Sequence, residues 1–302
     1  MADISFHDVS KAYDSMIALN HIDLTVEKGE LFGLIGPDGA GKTTMMRILC
    51  SLLKPDSGTV TVRDLDVITN SAMIRAILGY MPQRFSLYQD LTVEQNLRFF
   101  ADLFQVDRSV QKNRMEELYE FSKLGPFSKR KAGALSGGMK QKLALSCNLM
   151  HTPKIMILDE PTFGVDPVSR EEFWQILHNL NKSGTTILVS TPYMEEAAQC
   201  TRIALLRKGL KISEGTPEEI ISTYPHKLYL LRANDIHQMH NVLQSEDYVV
   251  STQLFGDSLH VAYSQKPSIQ QWNDLIEKSK HNLIQYEEIT PSIEDVFLSA
   301  GN

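Results

Sequence analysis

Gly36-Pro37-Asp38-Gly39-Ala40-Gly41-Lys42-Thr43-Thr44 decides the reading of this chain. It matches G-x-x-x-x-G-K-[ST] without a gap. Glycines let the backbone wrap closely, because no Cβ blocks the turn. Successive backbone N–H groups then form an anion nest. Lys42 adds a full charge able to reach β- and γ-phosphates, and the Thr43 hydroxyl suits Mg²⁺. Residues 30–35 read as a buried strand entering the loop. Residues 43–54 read as a helix leaving it, with Met46, Leu49, Cys50 and Leu53 on one face. A helix N-terminus aimed at phosphate is favourable through its dipole and free N–H groups.

Upstream, residues 4–9 and 17–26 read as strands, with a turn at 11–14. Tyr13 is a candidate platform for a flat base. Downstream, residues 54–58 form a turn cluster, and 59–62 and 77–81 read as strands. The second ends at Pro82-Gln83, where Gln83 is a candidate contact to metal or attacking water. Residues 84–149 turn helical, and we read this block as an inserted subdomain. Thr92-Val93-Glu94-Gln95 is a capping box ahead of a stripe of Leu97, Phe100, Ala101 and Phe104, and residues 111–121 form a charged amphipathic helix.

Leu135-Ser136-Gly137-Gly138-Met139-Lys140-Gln141 precedes a helix expected over 142–150. Ser-Gly-Gly at a helix start is a second anion-binding terminus. Two such ends make sense if two copies meet head to tail, each offering its Ser-Gly-Gly to the other's nucleotide. The run Ile155-Met156-Ile157-Leu158-Asp159-Glu160 is a buried strand ending in two acids. Asp159 is placed to hold Mg²⁺ through its water shell, and Glu160 to orient and deprotonate the attacking water. A metal is the natural reason for adjacent carboxylates beside a core.

From the N-terminus to about residue 224 the chain resembles an ABC transporter nucleotide-binding subunit. The motifs come in the family's order: aromatic Tyr13, the Walker A loop 36–44, Q-loop Gln83, signature 135–141, Walker B 155–159 with Glu160, and D-loop Gly164-Val165-Asp166. The resemblance implies an α/β P-loop NTPase fold of ABC type that binds ATP and Mg²⁺. It also implies that Ser136, Gly137, Gly138 and Met139 reach the partner's nucleotide in trans. Many members carry glutamine where Met139 stands. Residues 185–191 are the next strand, after which the family places a switch histidine touching the γ-phosphate. Here that position is Pro192, which has neither a side-chain donor nor a backbone N–H. Losing one positioned donor typically costs on the order of 10²–10³ in rate. The site on this chain's own Walker A loop is therefore expected to bind ATP and hydrolyse it slowly; the counter-reading is that Glu160 and Lys42 suffice.

The signature and the tail are most similar to ATPases of ABC-2-type exporters, in particular the first half of tandem drug-efflux ATPases. That likeness implies transmembrane permease chains as partners, a homo- or heterodimer of ATPase subunits, and a place on the cytoplasmic face of the inner or plasma membrane. Two alternatives stay open: a regulatory nucleotide-binding subunit paired with an active ATPase, and a soluble ABC protein acting on nucleic acid or the ribosome.

The 302 residues are 42% hydrophobic and 22% charged, an ordinary globular balance. A net charge of -7 gives nucleic-acid binding no electrostatic support, so no nucleic-acid partner is expected. Cys50, Cys147 and Cys200 are scattered in apolar helical patterns, as buried thiols are. No leader pattern opens the chain, and no apolar run approaches the roughly 20 residues of a membrane span. Residues 1–224 are expected to form the ATPase domain and 225–302 an accessory domain. In the latter, strands at 227–233, 248–255, 258–263 and 283–289 and helices at 236–244 and 268–280 give the ferredoxin-like order β-α-β-β-α-β, before a capped helix within 290–298.

Overall fold

The computed structural model describes residues 2–84, 87–279 and 282–300. Phe85 and Ser86 of the expected helical block, and Lys280 of the expected helix 268–280, lie outside the described residues. The chain divides into two compact units, Met1–Pro217 and Glu218–Asn302, placing the boundary seven residues before 224. A new helix starts at Pro217, ahead of the composition change that marks 225 in the sequence.

The first unit opens with the antiparallel pair β1 (Ala2–Tyr13) and β2 (Met16–Glu27). The expected turn at 11–14 is a correction. Lys11, Ala12 and Tyr13 stay paired with Leu19, Ile17 and Met16 through bulges, and Asp14 turns the chain with φ +50. β3 (Leu31–Ile35) runs into the loop and is buried throughout, and α1 (Lys42–Leu49) leaves it. This helix ends five residues short of 54. Cys50 caps it, Ser51 takes a left-handed φ of +56, and Pro55 disfavours helix at the residue before it.

β4 (Ser57–Val62) and β5 (Leu65–Asp66) complete a sheet of order β2-β1-β4-β5. α2 (Ser71–Ile77), which the sequence reading lacks, then takes Ile77 out of the expected strand and leaves β6 (Leu78–Met81). The helical block holds α3 (Val93–Leu103), α4 (Arg108–Ser122) and α5 (Gly137–Leu149). The capping box on α3 forms as read, Thr92 with Gln95. α5 starts at Gly137, five residues before the expected 142, because the Ser136 hydroxyl accepts the Met139 N–H at 3.3 Å and caps it.

β7 (Ile155–Asp159), α6 (Pro167–Lys182), β8 (Thr186–Thr191), β9 (Arg202–Arg207) and β10 (Leu210–Gly215) follow. The main sheet has the order β10-β9-β3-β8-β7-β6, parallel except for the β9–β10 pair. β3, β7 and β8 are buried at every residue, as continuous apolar runs in parallel sheets are. One cluster ties Met45, Met46, Ile48 and Leu49 of α1 to Phe32, Leu34, Ile155, Ile157 and Leu188 of this sheet and to Ile4, Phe6, Leu24 and Val60 of the other. That packing fixes the start of α1 against the C-terminal ends of β3, β7 and β8. All three cysteines are buried and unbridged, and burial pushes their thiol pKa values up, which keeps them inert.

α7 (Pro217–Ser222) begins at the last residue of the first unit, and the second unit then contains β11 (Lys227–Ala233), α8 (Ile236–Gln244), β12 (Val249–Phe255), β13 (Ser258–Tyr263), α9 (Ile269–Lys278), β14 (Leu283–Glu288) and α10 (Ile293–Ser299). Its antiparallel sheet has the order β12-β13-β11-β14, and the hairpin turns at Gly256-Asp257. The β-α-β-β-α-β order of the sequence reading is present here. Its separate core joins Tyr229, Leu231, Met239, Leu259, Tyr263 and Trp272, with Tyr229 and Tyr263 edge-on to the Trp272 ring at 5.4 and 5.7 Å. Trp272→Ala is expected to destabilise this unit by about 3–5 kcal/mol, read by chemical denaturation followed by circular dichroism.

Candidate nucleotide site

The loop closes around its own lysine. Lys42, with its side chain 3% exposed, donates to the carbonyl oxygens of Gly36 at 2.7 Å and Pro37 at 3.0 Å. Two glycines make that curl possible. Gly41 caps α1 with φ +107, and a Cβ there would stand 2.5 Å from the Ala18 carbonyl oxygen. A Cβ on Gly36 would stand 2.3 Å from the Leu206 carbonyl oxygen. Backbone cannot yield as a flexible side chain does, so Gly36→Ala is expected to cost about 1–3 kcal/mol in urea unfolding and to weaken nucleotide binding with it.

Lys42 also meets Glu160, with Nζ 3.1 Å from Oε1 and the Glu160 side chain 4% exposed. Gln83 Nε2 donates to Glu160 Oε2 at 2.7 Å. Glu160 has a left-handed φ of +48, and its N–H points back to Ser190, 3.2 Å from the carbonyl oxygen and 3.0 Å from the hydroxyl. Asp159 Oδ1 accepts from Ser190 Oγ at 2.7 Å and Thr43 Oγ1 at 3.1 Å. Asp159 Oδ2 is buried without a hydrogen-bond partner among the described residues. Such a group in a 1%-exposed side chain is costly unless something else occupies its lone pairs. Lys42, Thr43, Gln83, Asp159 and Glu160 are thus brought together from three stretches of the chain. Asp38, Gly39, Ala40, Gly41 and Thr44 line the same cleft of about 370 Å³, with Tyr13, Met16 and Ala18 at one side. Tyr13 is 43% exposed, as a stacking face must be.

The remaining sequence-predicted residues lie elsewhere. Ser136, Gly138 and Met139 are absent from the lining of this cleft, and Gly137 lines a neighbouring hollow with Gln83, Lys140 and Gln141. Gly138 packs toward Ser169 of α6. Asp166 caps α6 by accepting the Ser169 N–H at 2.9 Å; hydrogen bonds from the Ser169 backbone and hydroxyl hold its carboxyl below the usual range. Pro192 follows the last residue of β8, whose carbonyl oxygen accepts the Gly36 N–H at 3.3 Å. The degenerate position therefore sits one peptide beyond the strand end that touches the loop. Behind it, buried Glu196 accepts hydrogen bonds from Thr191 at 2.5 Å and from Thr162 at 2.9 Å, tying this turn to the one after Glu160. Sequence reasoning missed Ser190 and Glu196. The available signal for Ser190 was a pair of hydroxyl residues, Ser190-Thr191, closing a buried strand after the apolar run Ile187-Leu188-Val189.

A family profile described as ABC transporter matches residues 19–163, which include the loop, Gln83, the Ser136 turn, Asp159 and Glu160. The Nod factor export ATP-binding protein I of Burkholderia orbicola is 38% identical over 224 residues, covering 74% of each chain. The chain belongs to the ABC transporter ATP-binding proteins. The probable multidrug ABC transporter ATP-binding protein YbhF of Escherichia coli is 47% identical over 232 residues, which are 76% of this chain. The chain spans only 40% of that relative's length. Among solved structures, the ATP-binding cassette MJ0796, dimeric and bound to ADP and Pi, matches with TM-score 0.64 and 28% identity over 70% of this chain and 98% of that one. CbiO1 of Clostridium perfringens, at 24% identity and TM-score 0.67 over 74% of this chain and 91% of that one, shares the fold. This ABC cassette therefore has the α/β P-loop ATPase fold and is a nucleotide-binding domain. No helix among its described residues is long and apolar enough to cross a membrane.

Proposed function

We propose that this ABC cassette binds ATP with Mg²⁺ between two subunits and uses closure of the pair to drive a membrane exporter. The observation that carries the reading is the cluster at the loop: a buried lysine and two buried acids, with exposed Gln83 bonded to one acid and an oxygen of the other, Asp159, left open. That open oxygen, the Thr43 hydroxyl and Gln83 fit a divalent cation. Among the described residues no group of three His, Cys, Asp or Glu side chains could hold a metal alone. Mg²⁺ does not require one, because it takes most of its ligands from phosphate and water. When bound it neutralises charge on the β- and γ-phosphate oxygens.

The chain's own residues supply the rest. Loop N–H groups and Lys42 hold the phosphates, Tyr13 stacks on the base, and Glu160 accepts a proton from the attacking water. Ser136, Gly137, Gly138 and Met139 lie off this cleft, which supports their serving the mate's nucleotide, with Asp166 beside the joint. Each nucleotide prefers the closed pair, so binding energy does the mechanical work. The partners are permease chains and a second ATPase subunit, identical or different, at the cytoplasmic face of the membrane. The Burkholderia relative's name carries the word export, and the acidic chain gives no support to nucleic acid. Pro192 favours a second reading, in which this subunit's own site is catalytically poor and regulates a more active mate.

Calorimetry with Mg·ATP followed by sedimentation of Glu160→Gln protein tests the proposal. Heat of binding is expected, together with a shift to roughly double mass with ATP and not with ADP, for the chain alone or with its co-purified mate. A chain that takes up no nucleotide in either form would overturn it.

A further inference from the structure

Ser190 takes no part in the roles above, yet among the described residues it is the one side chain bonded to both Asp159 and Glu160. β7 and β8 pair in parallel with Asp159 directly opposite Ser190. The Ser190 side chain is wholly buried, and its hydroxyl receives the Glu160 N–H at 3.0 Å. A hydroxyl has a single proton to give, and here it goes to Asp159 Oδ1 at 2.7 Å. With the N–H on one side and the carboxylate on the other, the hydroxyl has one orientation. Thr43 donates to the same Oδ1 at 3.1 Å. Both donors therefore load one oxygen and leave Oδ2 buried and unpartnered among the described residues.

We propose that Ser190 is the positioning residue for the cation, fixing the Asp159 carboxylate so that Oδ2 alone is presented to Mg²⁺. This rests on the nucleotide reading above. The same hydroxyl supports the left-handed turn at Glu160, a conformation a non-glycine residue keeps only where its surroundings hold it. Ser190 thus keeps the two adjacent acids on separate tasks, Asp159 toward the cation and Glu160 toward Lys42 and Gln83. Partners that orient a metal ligand typically account for about 10–100-fold in metal affinity.

The test uses Mn²⁺ in place of Mg²⁺, titrated into ADP-loaded protein and read by electron paramagnetic resonance. In Ser190→Ala the half-saturating Mn²⁺ concentration is expected to rise about 10–100-fold, while ADP affinity in EDTA stays within about threefold of the parent. Ser190→Thr, which keeps the hydroxyl, should restore the parent value. Ser190→Cys, with its weak donor and similar size, should fall between and serves if the alanine variant does not fold. Unchanged Mn²⁺ affinity in Ser190→Ala overturns the proposal. So does an equal loss of metal-free ADP affinity, which marks a purely structural residue. If the parent protein binds ADP but no Mn²⁺, or no ADP at all, it is the nucleotide reading that fails, and the two failures are distinct.

Discussion

Pro192→His is expected to raise single-turnover ATP hydrolysis by about 10²–10³-fold. Position 192 follows Thr191, whose carbonyl oxygen is bonded to the first glycine of the phosphate loop. On the proposed nucleotide reading, a donor introduced here would stand near the charge that grows as the γ-phosphate leaves. Proline offers no donor from side chain or backbone. The rest of the machinery is in place: Glu160 is bonded to both Lys42 and Gln83, and Thr43 and Ser190 hold Asp159. The nearest histidine earlier in sequence, His178, is engaged elsewhere, with Nε2 3.0 Å from the Gln199 amide oxygen. Glu196 clamps the turn from behind through Thr191 and Thr162, so the exchange changes one side chain in a segment that is already held. The measurement is single-turnover hydrolysis with enzyme in excess over ATP, before and after the exchange. An unchanged rate would show that Glu160 and Lys42 suffice.

Glu160→Gln is expected to move two quantities in opposite directions. Hydrolysis should fall by about 10²–10⁴-fold, the usual span for a lost general base. ADP should bind about tenfold tighter. The second effect follows from the ion pair between Lys42 and Glu160, 3.1 Å apart and almost wholly buried. Phosphates must take the lysine over from this carboxylate, so part of their binding energy goes into breaking the pair. A hydrogen bond to a charged group is worth about 1.5–3 kcal/mol, and about 1.4 kcal/mol is tenfold in affinity. The amide keeps the size of the side chain and can still accept from Gln83, while releasing the lysine. Calorimetry with ADP isolates the effect, since ADP cannot be trapped by blocked hydrolysis. ADP affinity that stays the same or weakens would rule out competition for Lys42.

The amino-acid sequence by itself determined the phosphate loop, the apolar run ending in Asp159 and Glu160, the capping box at Thr92 and the strand–helix order of the second unit. Each is a local pattern, in which a short window carries both the backbone preference and the face to be buried. Boundaries were less legible, because α1 stops at a left-handed Ser51 and α5 begins inside a glycine pair, and no hydrophobic period marks either event. The tertiary structure alone decided which groups work together. Lys42 on Glu160, Gln83 on Glu160, and Ser190 on both acids depend on the register of parallel strands and loops far apart in the chain. A hydroxyl reads the same in any buried strand. Only when β8 lies beside β7 with Ser190 opposite Asp159 does its single proton acquire a direction, and one carboxylate oxygen stay without a hydrogen-bond partner among the described residues.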